Sequence, residues 1–189
     1  MTEYRGILLF AEVVVGKVDK KTLLALEKMK DLASELGVYV DAILVGTAID
    51  DAARELISYG AKKVFAAKSE EFNAYDTQKL VALLAAIIEA KTPEAVVFAD
   101  SFAARDLGPR LAQRFETSYV AQCTALGVEE RERKIIQTRK AFGGKVTMRL
   151  LTTVNAPQIF SVKVDTSSEP EEVAYARGEV INLNSHGIP

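Results

Sequence analysis

Cysteine and histidine are nearly missing from this chain. Of its 189 residues one is cysteine, Cys123, and one is histidine, His186. A single cysteine allows neither an intrachain disulfide nor a cysteine-built metal centre, which suits an intracellular, cytoplasmic setting. A single histidine, close to the last residue, leaves Ser-His-Asp and Cys-His devices without a well-held imidazole. Basic excess is missing too: Lys+Arg number 24 against 26 Asp+Glu, a balance that argues against a nucleic-acid binder. No apolar run approaches the ~20 residues of a membrane span. The first run, Ile7 to Val15, is too short for a secretory signal and contains Glu12. Neither G-x-G-x-x-G nor G-x-x-x-x-G-K-S/T occurs, so no glycine-rich loop announces a phosphate. Carboxylates are plentiful but scattered, and no acid–base pair stands out. The expectation is a chain with no catalytic residue and no metal site.

What is present is an ordinary globular composition, 49% hydrophobic and 26% charged, long enough for one domain with a substantial core. The first two thirds alternate strand and helix patterns. Ile7 to Val14 is nearly continuous apolar sequence, as in a strand buried on both faces. Asp19 can cap a helix whose apolar face is Leu23, Leu26, Met29, Ala33 and Leu36, with Gly37 at its end. Val38 to Val45 reads as the second strand. A short helix follows (Ile49, Ala52, Ala53, Leu56, Ile57), stopped at Gly60, and then a strand from Val64 to Ala67. Asp76 caps a third helix with Leu80, Leu83, Leu84, Ile87 and Ile88 on one face. Ala95 to Ala99 is the fourth strand, and Ala104, Leu107, Leu111 and Phe115 line a fourth helix. Such alternation predicts right-handed crossovers and a parallel sheet.

After Tyr119 the period changes to two. Ala121 to Val128, Lys134 to Arg139, Lys145 to Thr153 and Gln158 to Val164 read as strands, largely antiparallel, extending the edge of the parallel sheet. Residues 1–165 form the expected domain and 166–189 a linker or tail. Within that tail, Val180 to Leu183 reads as one more short strand, suited to pairing with a partner.

Two places attract chemistry. At the exit of the fourth strand, Ser101 and Arg105 stand at a helix N-terminus, where free N–H groups can meet an anion. The alternative is structural: Asp100 or Ser101 caps the helix and Arg105 pairs with a carboxylate. The second place is Gln137 to Val146, where two strand-like runs flank Phe142-Gly143-Gly144. A tight turn there demands the positive φ that glycine tolerates. Arg139, Lys140 and Lys145 gather at its mouth. Arg139 serves either as a fixed charge toward a cofactor or partner, or as a solvated strand residue. Cys123 reads as a small buried hydrophobe, and the mixed-sign run Glu129 to Lys134 as a solvated turn.

Three segments together resemble the N-terminal domain of the electron transfer flavoprotein alpha subunit. They are Ile7 to Gly16 (ILLFAEVVVG); Ser101 to Leu126, with Arg105-Asp106-Leu107, Pro109-Arg110-Leu111-Ala112, Arg114, Val120-Ala121, Cys123-Thr124 and Leu126; and Thr138-Arg139 with Ala141-Phe142-Gly143-Gly144. Lys140 replaces a usual Pro, and Ala104 a frequent Gly. The resemblance implies a three-layer α/β domain, an open parallel sheet flanked by helices of the adenine-nucleotide-hydrolase-like kind, with antiparallel strands added in its C-terminal part. It implies a non-catalytic subunit that docks a beta-type subunit through Phe142, Gly143 and Gly144. Ser101, Arg105 and Arg139 would lie toward the cofactor, and Arg139 would approach a second flavin in members that bifurcate electrons. FAD would belong to the assembled complex and would not be held tightly by this chain alone, because the family's C-terminal FAD-binding domain has no counterpart here; Arg177-Gly178-Glu179-Val180 resembles the connector into it. Flavin dehydrogenases or quinone-linked acceptors would be the exchange partners. The competing expectation is a stand-alone module of the same architecture that binds or senses an adenine nucleotide such as AMP through Ser101 and Arg105.

Overall fold

Five consecutive apolar residues, Ile7–Ala11, form β1, and all five are buried. Alternate side chains of a strand point to opposite faces. Ile7, Leu9 and Ala11 accordingly join one core cluster, with the helices α1 (Lys20–Leu36) and α2 (Asp50–Ser58). Leu8 and Phe10 join a second cluster on the other face, with α3 (Thr77–Lys91) and α4 (Phe102–Arg114). The chain is thus a sheet between two helical layers in this computed structural model, which describes residues 5–129, 131–153 and 155–184. His186 lies outside the described residues.

The helix ends follow local chemistry. The Asp19 side chain accepts from the Lys21 N–H at 2.8 Å. Asp76 accepts from the N–H groups of Gln78 and Lys79. Gly37 closes α1 in the left-handed conformation at φ 67°.

The expected strand from Ile7 to Val14 stops at Ala11. Val13–Val14 (β2) and Lys17–Val18 (β3) instead form a small hairpin. Its two turn residues, Val15 and Gly16, both have positive φ, the geometry of a tight two-residue turn.

The main sheet holds seven strands in the order β12-β5-β4-β1-β6-β11-β7. They are β4 (Val40–Gly46), β5 (Lys63–Lys68), β6 (Ala95–Ala99), β7 (Tyr119–Cys123), β11 (Gln158–Val162) and β12 (Glu179–Leu183) beside β1, and every pairing is parallel. The expected three-layer parallel α/β architecture is what the chain adopts.

Its C-terminal part needs three corrections. The expected strand Ala121 to Val128 is broken in two, because Gln122 adopts a left-handed φ of 59° and the register with β11 shifts there. Its first half is β7 in the main sheet. Its second half, β8 (Ala125–Glu129), pairs antiparallel with β9 (Lys134–Ala141), and β9 with β10 (Val146–Leu151), as a separate three-stranded sheet. The last expected antiparallel strand is in fact β11, inserted parallel between β6 and β7. Ser161 in the middle of this strand is polar yet fully buried, and accepts from the Gln122 N–H at 2.9 Å. Finally, Val180 to Leu183 pairs with β5 of its own chain and not with a partner.

Candidate functional site

The β9–β10 ladder explains how the basic turn is presented. Residues directly opposite in an antiparallel pair share a face. Gln137 with Leu150, Arg139 with Met148, and Ala141 with Val146 therefore lie on one face, and Thr138 with Arg149 and Lys140 with Thr147 on the other. At the base of the first face, Ile135 is buried and Leu150 packs on the core. At its far end Met148 and Val146 are exposed. The hairpin has run past the edge of the body and overhangs it as an arm, with Arg139 at the transition.

The arm's tip is Phe142-Gly143-Gly144, with φ of 51°, 64° and 88°. A methyl group on either glycine would meet nothing within 4 Å, so conformation and not space requires glycine there. Phe142 is 78% exposed and holds a left-handed φ that disfavours bulky side chains.

Two polar groups on the arm's inner face are buried without partners. Both amide atoms of Gln137 lack a hydrogen bond among the described residues, and so does Arg139 Nε. Burial pushes the Cys123 thiol up to about 12, with the Arg139 charge opposing the shift. A thiol so placed stays protonated and is a poor nucleophile.

The exit of β6 is built differently. Ser101 Oγ accepts from the Ala104 N–H at 3.1 Å and caps α4. The Glu12 carboxylate, just past the end of β1, lies near this hydroxyl, which favours its charged form against the burial that opposes it. Arg105 pairs with Asp100 at 3.5 Å, and Asp100 also accepts from Gln122 Nε2 at 2.9 Å. One turn along, Asp106 accepts from Tyr75 Oη, Thr77 Oγ1 and Arg110 Nε. Three carboxylates thus surround this helix N-terminus.

Ser101 and Arg105 therefore neighbour each other, while no hydrogen bond or ion pair joins either to Arg139 among the described residues. The two places are linked through β7. Gln122 reaches Asp100, and Thr124 N–H donates to the Thr138 carbonyl at 2.8 Å.

Between the carboxyl ends of β1 and β6 the strand order reverses, the place where open α/β sheets form crevices. A cleft of about 260 Å³ opens there, lined by Glu12, Val45, Phe72, Tyr75, Phe102 and Ala103 among others. Burial raises the Glu12 pKa above the ordinary carboxylate value. No group of three or more His, Cys, Asp or Glu suited to a metal occurs among the described residues. No helix among them is long and apolar enough to cross a membrane.

Residues 7–186 match the electron transfer flavoprotein domain family. The chain belongs to that family. It is 34% identical over 161 residues to the electron transfer flavoprotein subunit alpha of Clostridium acetobutylicum, covering 85% of this chain and 48% of that protein. It is 33% identical over 186 residues to the subunit of the same name from Megasphaera elsdenii, covering 98% and 55%. A third relative is the lactate dehydrogenase (NAD(+),ferredoxin) subunit LctC of Acetobacterium woodii, 32% identical over 177 residues, covering 94% and 42%. The chain spans about half the length of the curated relatives it matches.

Flavoprotein membership invites a test of which side chains suit a flavin. The α4 N-terminus is poorly suited to an anionic pyrophosphate. Ser101 is committed to its cap and Arg105 to Asp100, and Glu12, Asp100 and Asp106 would repel phosphate. On the arm, the Gln137 amide and Arg139 Nε lack hydrogen bonds but are enclosed, so what the arm offers an arriving group is its exposed surface beyond them. Gln137 belongs to no motif that marks it for a role. Its signal was its place at the i+2 spacing between Ile135 and Arg139, a polar amide on the strand face that Ile135 buries.

Proposed function

We propose that this chain is a non-catalytic part of an electron transfer flavoprotein, docking a beta-type subunit through the β9–β10 arm. Phe142, with Gly143 and Gly144 shaping its turn, makes the leading contact. Met148 and Val146 supply apolar surface behind it, and Lys140, Lys145 and Arg149 set a positive border. Arg139 faces a flavin held by the partner or by another domain. Bound FAD supplies the electron-carrying ring; this chain's residues supply shape and charge. A fixed guanidinium favours negative charge on a neighbouring flavin. Ser101 and Arg105 hold the β6 exit in register with β7 and thereby position the arm's root. Flavin dehydrogenases or quinone-linked acceptors are the exchange partners that the family resemblance suggests.

One observation carries this reading: a hairpin whose far end presents Phe142, Val146 and Met148 exposed, beside the exposed Lys140 and Lys145. Covering that exposed apolar end removes it from water, at roughly 25 cal/mol per Å² of apolar surface.

The test is size-exclusion chromatography with the cognate beta-type subunit. Co-elution is expected for the natural chain and for Arg139→Ala, and its loss for Phe142→Asp with Met148→Asp. Arg139→Ala is expected to lower the flavin reduction potential in the complex, and Arg139→Lys to restore most of it. Absence of co-elution by the natural chain would refute the docking role. An unchanged potential in Arg139→Ala would refute the role given to the guanidinium.

A further inference from the structure

The cleft at the strand-order reversal takes no part in the docking role. Its electrostatics are asymmetric. Glu12 is the carboxylate in its lining; of the two other carboxylates at the nearby α4 N-terminus, Asp100 is matched by Arg105 and Asp106 by Arg110. Glu12 forms no ion pair with any lysine or arginine among the described residues, and the Ser101 hydroxyl is its polar neighbour. Lys21 influences it only at a distance, and Asp19 opposes that influence.

Two aromatic rings guard the opening. Tyr75 and Phe102 meet edge to face with centroids 5.6 Å apart, and both are largely exposed, Phe102 at 73%. Tyr75 is held in place by its hydrogen bond to Asp106 at 2.8 Å. Phe72 and Val45 complete an apolar wall. A half-buried carboxylate without a cation, beneath exposed aromatic faces, is the arrangement that attracts a positive organic group. The carboxylate supplies the countercharge and the rings supply their negative faces. The same charges repel phosphates. At about 260 Å³ the space lies below the range of drug-sized ligand pockets, so the occupant is small or is a single side chain.

We propose that this cleft is a binding site for an organic cation, an alkylammonium or guanidinium group, with Glu12 as its counterion and Tyr75 and Phe102 as its aromatic walls. The group is carried either by a free amine or by a lysine or arginine side chain. Burial holds the Glu12 carboxylate toward its neutral form, and an arriving cation offsets that cost.

The experiment is a titration of the full chain, followed by amide chemical shifts in NMR. The probes are choline, its neutral isostere 3,3-dimethylbutan-1-ol, capped lysine (N-acetyl-lysine methylamide) and capped norleucine. Saturable shifts at residues 10–13 and 101–104 are expected with the cations and not with their neutral counterparts. Glu12→Gln keeps the side chain's shape and should weaken binding at least about tenfold. Phe102→Ala removes an exposed wall without disturbing the interior and should weaken it about two- to fivefold. Tighter binding of choline supports the proposal with a free amine as source, and tighter binding of capped lysine supports it with a protein side chain as source. Equal binding of cationic and neutral probes, binding unchanged in Glu12→Gln, or no saturable shift with any cation overturns the proposal. Because no beta-type subunit is present, such a failure leaves the docking role standing.

Discussion

Gln158 carries the joint between the arm and the body. It begins β11 in the main sheet, yet its side chain treats β9 as a neighbouring strand. The Ile135 N–H donates to its Oε1 at 2.7 Å, and its Nε2 donates to the Ile135 carbonyl at 2.8 Å. Both residues are buried. Gln158→Leu keeps a similar volume but leaves both backbone groups of Ile135 unpaired, and backbone groups cannot be mutated away. Two orphaned buried groups at about 2 kcal/mol each give a loss of about 4 kcal/mol. The added apolar burial of leucine returns about 2 kcal/mol, so the net loss is about 2 kcal/mol. For a chain of this length that lowers Tm by roughly 4–8 °C. Urea unfolding followed by circular dichroism should show a lower midpoint with an unchanged slope. Gln158→Glu sharpens the test. Its carboxyl can donate to the Ile135 carbonyl only when protonated, and burial favours that neutral form. Its folded-state pKa should lie above its unfolded value, so its stability should be greatest in acid and fall as pH rises through the folded-state pKa. A Gln158→Leu chain within about 0.5 kcal/mol of the natural one, or a Gln158→Glu chain no more sensitive to pH than its parent, would refute this account of the joint.

Three further outcomes are expected. A methyl group at Gly108 would lie 2.4 Å from a Tyr119 ring carbon, so Gly108→Ala should lose about 1–2 kcal/mol despite alanine's better helix propensity; thermal melting measures this, and Tyr119→Val in the same chain should restore most of it. Cys123 is buried, with its thiol pushed up to about 12, so thiol reagents near neutral pH should label it only as fast as the protein unfolds; rapid labelling of the native chain would contradict its burial. Burial raises the Glu12 pKa in the folded chain, so the folded state holds that proton more tightly than the unfolded state, and this contribution to stability is present in acid and lost as pH rises through the raised value. Glu12→Gln should therefore gain stability relative to the natural chain between pH 4 and pH 7, and paired urea titrations at the two pH values check the sign.

The features legible before the structure are those set by neighbours in the chain. The Asp19 and Asp76 caps act on N–H groups two or three residues away, and Gly37 ends α1 by its own freedom at positive φ. The uninterrupted apolar run of β1 announces a strand covered on both faces. The Phe142-Gly143-Gly144 turn follows from backbone sterics alone. What stayed hidden depends on pairing across long separations. Residue alternation says which faces of a strand are buried but not which strand lies beside it. The placement of β11 between β6 and β7, and of β12 against β5, was therefore decided only by tertiary packing. An apparently continuous strand is divided where Gln122 turns left-handed and its N–H donates to the buried Ser161 hydroxyl, a residue far along the chain. Arg139 and its motif stood out in the sequence, but only the closed fold encloses the Gln137 amide and Arg139 Nε without partners. Asp100 and Asp106 find arginines four or five residues along their own segment, but only the fold brings Glu12 into the cleft beside Tyr75 and Phe102 with no cation paired to it among the described residues. Local sterics and capping act within a few residues and can be read along the chain; strand neighbours and charge balance are sums over the whole fold and exist only once it has closed.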